Sequence, residues 1–341
     1  MKKIAIDCRY LGKSGIGRVL EGILDNLDYD KNQYILIGKK EKLEQYHPFS
    51  IFVDDTDPFT KEGLLTSWKE INKSCDCILI PNFIIPFSIK IPVYTIIHDL
   101  LFLDHKDIAT NGFLDFEIKK NLLKRCTLKS KHIFCVSKFT MERCYHYYPK
   151  EREKFSVTYN GLSKGILNYK ETDTEKENQI IFVGNVKKHK GITRLLKAFE
   201  KEKDATMKLK IIGSKEKFIT SLDTTGLNVK NVEFTGFLSD EDMYKEIASS
   251  KYLILPSLYE GFGIPPLEAI CLKTQPIVSD IPVFHEIYAG LPVKFFHDEN
   301  ELAKLIAEKP DVISDDVVKE CKQRYQFSDM ARSIITCMED K

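Results

Sequence analysis

The feature that most constrains this chain is an alternation running its whole length: short apolar, β-rich runs separated by stretches of helical periodicity. In the first half the runs lie at 4–6, 34–37, 51–53, 77–80, 93–97 and 132–136, with helical patterns at 18–27, 63–73, 113–130 and 139–147. In the second half they lie at 179–183, 207–212, 232–234, 252–255, 276–279 and 293–296. Strands alternating with helices imply βαβ crossovers and a parallel sheet, and here the pattern occurs twice. Between the halves, residues 168–178 are almost wholly polar and charged, with Lys170-Glu-Thr-Asp-Thr-Glu-Lys-Glu177 at their centre. That is linker composition, and it divides the chain near residue 170. A chain of 341 residues also exceeds what one ordinary core supports. The expected fold is α/β, with two doubly wound domains whose ligands bind in a cleft at the carboxyl ends of their strands.

Composition narrows the function classes. A net charge of +1 gives no global attraction to nucleic acid, and none is expected as a partner. The nine cysteines are scattered; the closest spacing, Cys75-Asp-Cys77, lies inside an apolar run and is not a zinc-like pair. They read as reduced, buried thiols of a cytosolic protein. The chain opens on a strand, Met1-Lys-Lys-Ile-Ala-Ile-Asp7, without a signal-peptide h-region, and no apolar run approaches ~20 residues. The expectation is a cytoplasmic protein that spans no membrane.

The chemistry gathers after two of the second-half strands. Ser257-Leu-Tyr-Glu260-Gly261-Phe262-Gly263-Ile264-Pro265-Pro266-Leu-Glu268-Ala follows the run at 252–255 and opens a helix, with Pro265 where a missing N–H costs nothing. Gly261 and Gly263 let the backbone come close to a ligand. Carboxylates such as Glu260 and Glu268 accept hydrogen bonds from the hydroxyls of a sugar or ribose, whereas N–H groups at a helix start suit an anion. A site offering both points to a sugar nucleotide; a strand–turn–helix junction with two solvated glutamates is the plain alternative. Lys187-Lys188-His189-Lys190-Gly191 follows the run at 179–183. Cations flanking a helix start oppose its dipole, and such locally unfavourable choices gather at functional sites, here as a clamp for a departing diphosphate.

Together with Ser137-Lys-Phe-Thr, Asn160-Gly161, Phe182-Val-Gly-Asn185 and Gly236-Phe-Leu-Ser-Asp-Glu, these segments resemble the retaining glycosyltransferases of family GT4, over essentially the whole chain. That family has the GT-B architecture of two facing Rossmann-like domains with an interdomain cleft. The resemblance implies an acceptor-side domain at 1–168, a nucleotide-sugar-binding domain at 169–325, and a helix at 326–341 returning to the first domain. It implies that Glu268 binds the ribose hydroxyls, that Glu260 faces the hydroxyls of the donor sugar, and that the backbone of Gly261, Phe262, Gly263 and Ile264 contacts sugar and phosphate. Lys190 matches the family's diphosphate lysine. Asn185 stands where the family's arginine is expected, and Lys187 is the candidate substitute. Backbone near Phe237 and Leu238 is implied to lie against the base. His98, ending the run at 93–97, is implied to sit beside the donor sugar and support the transition state; a capping Asp99 with His98 filling space is the alternative.

Two further segments carry open readings. Gly12-Lys-Ser-Gly15-Ile-Gly17-Arg18 joins the first strand to the first helix, and Gly15 and Gly17 permit phosphate or sugar to approach a helix N-terminus. A tight turn without ligand competes with that reading. Leu20 and Lys39-Lys40 stand where a dinucleotide fingerprint wants a glycine and an acid, so NAD is not expected. The basic stretch 117–131 is either a solvated helix face or a contact with anionic lipid at the inner face of a membrane. No metal or other cofactor is expected, and Asp54-Asp55-Thr-Asp57 reads as a polar loop after a weak strand. The expected activity is transfer of a hexose-type sugar from a nucleotide-diphosphate donor to a hydroxyl of a glycan or lipid-linked glycan. A sugar-nucleotide epimerase on the same fold and a silent glycan-binding partner subunit are the alternatives. Sugar, base, acceptor and linkage are left to loops of the first half and around Thr193, Ser214 and Asp280.

Overall fold

The computed structural model describes residues 1–12, 14–170, 175–213 and 230–340, with Ser14 described by its backbone alone. Parts of the charged segment at 168–178 and of the first glycine loop, and Ser214, lie outside the described residues. The chain forms two compact units, Met1–Gly161 with Phe327–Lys341, and Leu162–Gln326.

The first unit carries a parallel seven-stranded sheet: β1 (Lys3–Asp7), β2 (Gln33–Gly38), β3 (Ser50–Val53), β4 (Cys77–Ile80), β5 (Val93–Ile97), β6 (Ser130–Cys135) and β7 (Phe155–Val157). Their order is β3-β2-β1-β4-β5-β6-β7. Every residue of β4 and β5 is buried, as strands covered on both faces by crossover helices must be. β7 has only three residues, too few to register as an apolar run, and is held by pairing with β6. The helix Phe327–Glu339 closes this unit against the helix Ser14–Leu24, and the ring of Phe327 lies 2.2 Å from where a Cβ on Gly22 would stand. Only glycine leaves room for that ring.

The helical pattern at 63–73 is two helices, Lys61–Leu65 and Lys69–Ser74. A buried aspartate breaks it: Thr66 Oγ1 and Trp68 Nε1 donate to Asp54 Oδ2 at 2.8 and 2.6 Å. Asp54 is therefore more than a loop residue. Burial pushes its carboxyl up, but hydrogen bonds from Thr56, Trp68 and Thr66 outweigh that and hold it below the usual carboxylate range. Beside it the buried Arg9 guanidinium grips Asp7 through two bonds of 2.8 Å and lies 4.4 Å over the Trp68 ring.

The second unit carries a parallel six-stranded sheet: β8 (Gln179–Val183), β9 (Lys208–Ile212), β10 (Val232–Gly236), β11 (Tyr252–Leu255), β12 (Gln275–Ser279) and β13 (Lys294–Phe296). The order is β10-β9-β8-β11-β12-β13, with β8, β11 and β12 buried throughout. Chain direction across each sheet reverses its sense of progression between β1 and β4 and between β8 and β11. Ligands of such sheets bind where the order reverses, at the carboxyl ends of the strands.

Candidate functional site

In the second unit the loops after β8 and β11 flank that reversal, and they are fastened to each other. Leu258 N–H donates to His189 O at 2.7 Å. Gly191 takes φ +67°, and a Cβ there would stand 1.9 Å from the Pro256 carbonyl oxygen, so only glycine lets the loops meet. Across this junction Lys190 Nζ donates to Glu260 Oε1 at 2.6 Å. The buried Ser257 donates its hydroxyl to the same oxygen, also at 2.6 Å. The pair is mostly shielded, the Lys190 and Glu260 side chains being 22% and 11% exposed.

The turn that follows is set by packing from behind. Gly263 takes φ +94°, and its carbonyl accepts the Tyr288 hydroxyl at 2.6 Å. Burial, then the Glu260 charge, pushes the Tyr288 phenol well up, so it stays a neutral donor. Phe262 meets Tyr325 edge to face at 5.8 Å, so its ring is a packing element while its backbone lines the turn. The helix Pro265–Cys271 begins with two prolines, which bring no N–H. Anion-directed donors must therefore come from the turn itself, where Gly261, Gly263 and Ile264 donate to no backbone or side-chain acceptor among the described residues. Glu268 lies in the first helical turn, fully buried.

The remaining expected residues of this unit fall at the same sheet edge with different exposure. Lys187 is exposed and in no ion pair among the described residues, whereas Lys190 is committed to Glu260. Asn185 follows Gly184 at the end of β8. Arg194 is engaged elsewhere, spanning Ser279 Oγ (3.2 Å), the His297 carbonyl (2.6 Å) and Glu299 (3.5 Å). Phe237 follows β10 with its side chain 78% exposed, and Leu238 beside it is half-buried. Asp280 lies between the imidazoles of His285 (Nε2) and His297 (Nδ1, 3.0 Å). Tyr288 had no sequence signal of its own, while Ser257 and Gly191 stood in motifs without a role, which their bonds and contacts with neighbours alone supply.

In the first unit His98 directly follows β5, half-buried, and its Nε2 donates to the Pro81 carbonyl at 2.9 Å. That bond fixes the tautomer and leaves Nδ1 as the acceptor. Burial lowers its pKa, more than the Pro81 carbonyl and Asp99 raise it, so the ring is neutral at pH 7. Asp99 does cap, accepting from Leu101 N–H at 3.0 Å. Gly17 lies inside the helix Ser14–Leu24, where a Cβ would meet the Tyr10 carbonyl at 2.7 Å. Its glycine is thus required by packing. Gly15 faces open space, with nothing within 4 Å of a Cβ. The stretch 117–131 is mostly the helix Phe113–Lys129. It exposes Phe113, Leu114, Ile118 and Leu128 among Lys120, Lys124 and Lys129.

Two doubly wound parallel sheets of this kind are the architecture of the GT-B class of glycosyltransferase folds. Solved structures agree over the full length. Anabaena Alr3699/HepE in complex with UDP and glucose matches 99% of both chains with a TM-score of 0.76 at 18% identity. WaaG, a glycosyltransferase involved in lipopolysaccharide biosynthesis, matches 99% of this chain and 100% of its own with a TM-score of 0.74 at 16% identity. Residues 167–333 match the family model described as glycosyl transferases group 1. Among curated relatives, the O-antigen chain mannosyltransferase RfbU of Salmonella typhimurium is 32% identical over 220 residues. That alignment covers 62% of this chain and 61% of RfbU. The chain therefore aligns with about three fifths of that relative.

Proposed function

We propose that this protein is a retaining glycosyltransferase that moves a hexose-type sugar from a nucleotide-diphosphate donor to a hydroxyl of a glycan or lipid-linked glycan in surface polysaccharide assembly. The observation that carries this reading is the Lys190–Glu260 pair, with the buried Glu268 on the helix that follows, at the order reversal of a sheet within the stretch matched by the group 1 family model. RfbU, by name a mannosyltransferase of O-antigen chains, and HepE, solved with UDP-glucose, support the donor and product classes. Glu268 holds the ribose, and the turn at 261–264 and Glu260 hold the sugar. Lys190, with Lys187 available beside it, meets the diphosphate, and Phe237 and Leu238 flank the base. Cations aimed at the diphosphate stabilise the charge that develops as it leaves. Neutral His98, with Nδ1 accepting, supports the developing transition state. No protein nucleophile is assigned, and the acceptor proton passes to the departing phosphate. These residues hold donor and leaving group without a metal.

The exposed apolar and basic side chains of the helix Phe113–Lys129 suit peripheral contact with an anionic membrane, where a lipid-linked acceptor resides. Among the described residues no helix is long and apolar enough to cross a membrane. The test is slow donor hydrolysis followed by proton NMR. The first free sugar should carry the donor's anomeric configuration. An inverted sugar overturns retention, and a sugar altered while still on its nucleotide points to an epimerase.

A further inference from the structure

We infer that Ser257 is a specificity-determining positioning residue, fixing the carboxylate of Glu260 so that one oxygen alone faces the donor sugar. The inference rests on the donor-binding reading above and names a residue that reading does not use. Ser257 is fully buried, two residues beyond the end of β11, and its hydroxyl reaches only 2.6 Å to Glu260 Oε1. Lys190 Nζ takes the same oxygen at the same distance from the other loop. Two donors on Oε1 leave Oε2 as the oxygen with accepting capacity to spare, on a side chain that is 11% exposed. The arrangement is rigid. Lys190 is held by Gly191 against Pro256 and by the Leu258–His189 bond, and Ser257 lies within that same junction.

A carboxylate held by one long, flexible lysine can rotate about its last bond and swap oxygens. Adding a short, buried serine donor on a fixed backbone removes that freedom, because its reach depends on one side-chain torsion against the four of lysine. A fixed acceptor direction discriminates between sugars that differ in the orientation of one hydroxyl. A rotating carboxylate accepts from either epimer. Lys190 has further N–H groups for an anion while it holds Oε1, so the pair can read phosphate and sugar together.

The test compares, for the full-length protein, binding of nucleoside diphosphates (UDP, GDP) with binding of the matching UDP- and GDP-hexoses as 4-epimer and 2-epimer pairs, by calorimetry. Ser257→Ala should leave the bare diphosphate Kd within about twofold while weakening the preferred sugar nucleotide about tenfold, the worth of one charge-assisted hydrogen bond of about 1.4 kcal/mol. Discrimination between epimers should fall with it, and Ser257→Thr, which keeps the hydroxyl, should restore both. Equal weakening of diphosphate and sugar nucleotide, or loss in the threonine variant as well, assigns Ser257 to folding and overturns the inference. Unchanged epimer discrimination in Ser257→Ala overturns it also. A wild-type protein that binds no nucleoside diphosphate overturns the donor-binding reading itself, and the two failures are thus told apart.

Discussion

Gly191→Ala probes the junction on which the candidate site depends. The substitution places a methyl 1.9 Å from the Pro256 carbonyl oxygen, so the two loops must part by at least about 1 Å to reach ordinary contact. The left-handed backbone at φ +67° adds roughly 1–2 kcal/mol for a residue with a side chain. Stretching the 2.7 Å bond between Leu258 N–H and His189 O costs about 1 kcal/mol more. With the strain of parting the loops, the loss is about 3–4 kcal/mol. Gly290→Ala is the control: φ is +79° but nothing lies within 4 Å of the added Cβ, so only the backbone cost of roughly 1–2 kcal/mol applies. For a unit of this size each kcal/mol lowers Tm by about 2–4 °C. Scanning calorimetry should show Gly191→Ala melting well below Gly290→Ala, and donor binding lost only in Gly191→Ala as Lys190 is drawn off Glu260. Equal falls in Tm, with donor binding intact in both, would refute the claim that close loop contact sets the site.

Glu268→Ala should raise the donor KM on the order of tenfold or more with little change in kcat, as loss of a ribose-binding hydrogen bond to a charged group requires. His98→Ala should lower kcat mainly; equal mild effects from both variants would count against the assigned roles. Burial sets His98 below the ordinary imidazole pKa while the unfolded chain titrates near 6.5, so the unfolded state takes the proton first. The stability this residue contributes is full above about pH 6.5 and declines as pH falls toward the folded value. His98→Gln keeps a donor for the Pro81 carbonyl and should flatten that acid decline in urea unfolding between pH 7.5 and 5. Lys120→Glu with Lys124→Glu should weaken co-sedimentation with anionic vesicles at least tenfold, at about 1 kcal/mol per basic residue. Wild-type binding indifferent to anionic lipid and salt would sink the membrane contact.

The central strands were the most legible, because β4, β5, β8, β11 and β12 are apolar runs buried at every position, a pattern that needs no partner to be read. β11 and β12 are buried at every position, and their boundaries fall within a residue of the apolar runs. β7 was not legible, since three residues carry no periodicity and the strand exists by pairing with β6. The break at Thr66 was equally hidden, because its cause is Asp54, twelve residues earlier, accepting from Thr66 and Trp68 at once. At the candidate site, Glu260, Glu268 and Lys190 were visible as residue types near strand ends. The bond between Lys190 and Glu260 spans 70 positions and could not be seen. Gly17 shows the reverse case, a glycine in a ligand-like loop whose packing against the Tyr10 carbonyl suffices to explain it.

The central claim is that the turn from Glu260 to Glu268 holds a nucleotide-diphosphate sugar. Thermal unfolding across a panel of UDP-, GDP- and dTDP-sugars tests it most directly, because ligand bound only to the native state stabilises it by RT ln(1 + [L]/Kd). At a hundredfold excess over Kd that is about 2.7 kcal/mol. The account predicts a concentration-dependent rise in Tm with one base series, abolished in Glu268→Ala. No rise with any member of the panel, or a rise that survives Glu268→Ala undiminished, would contradict it.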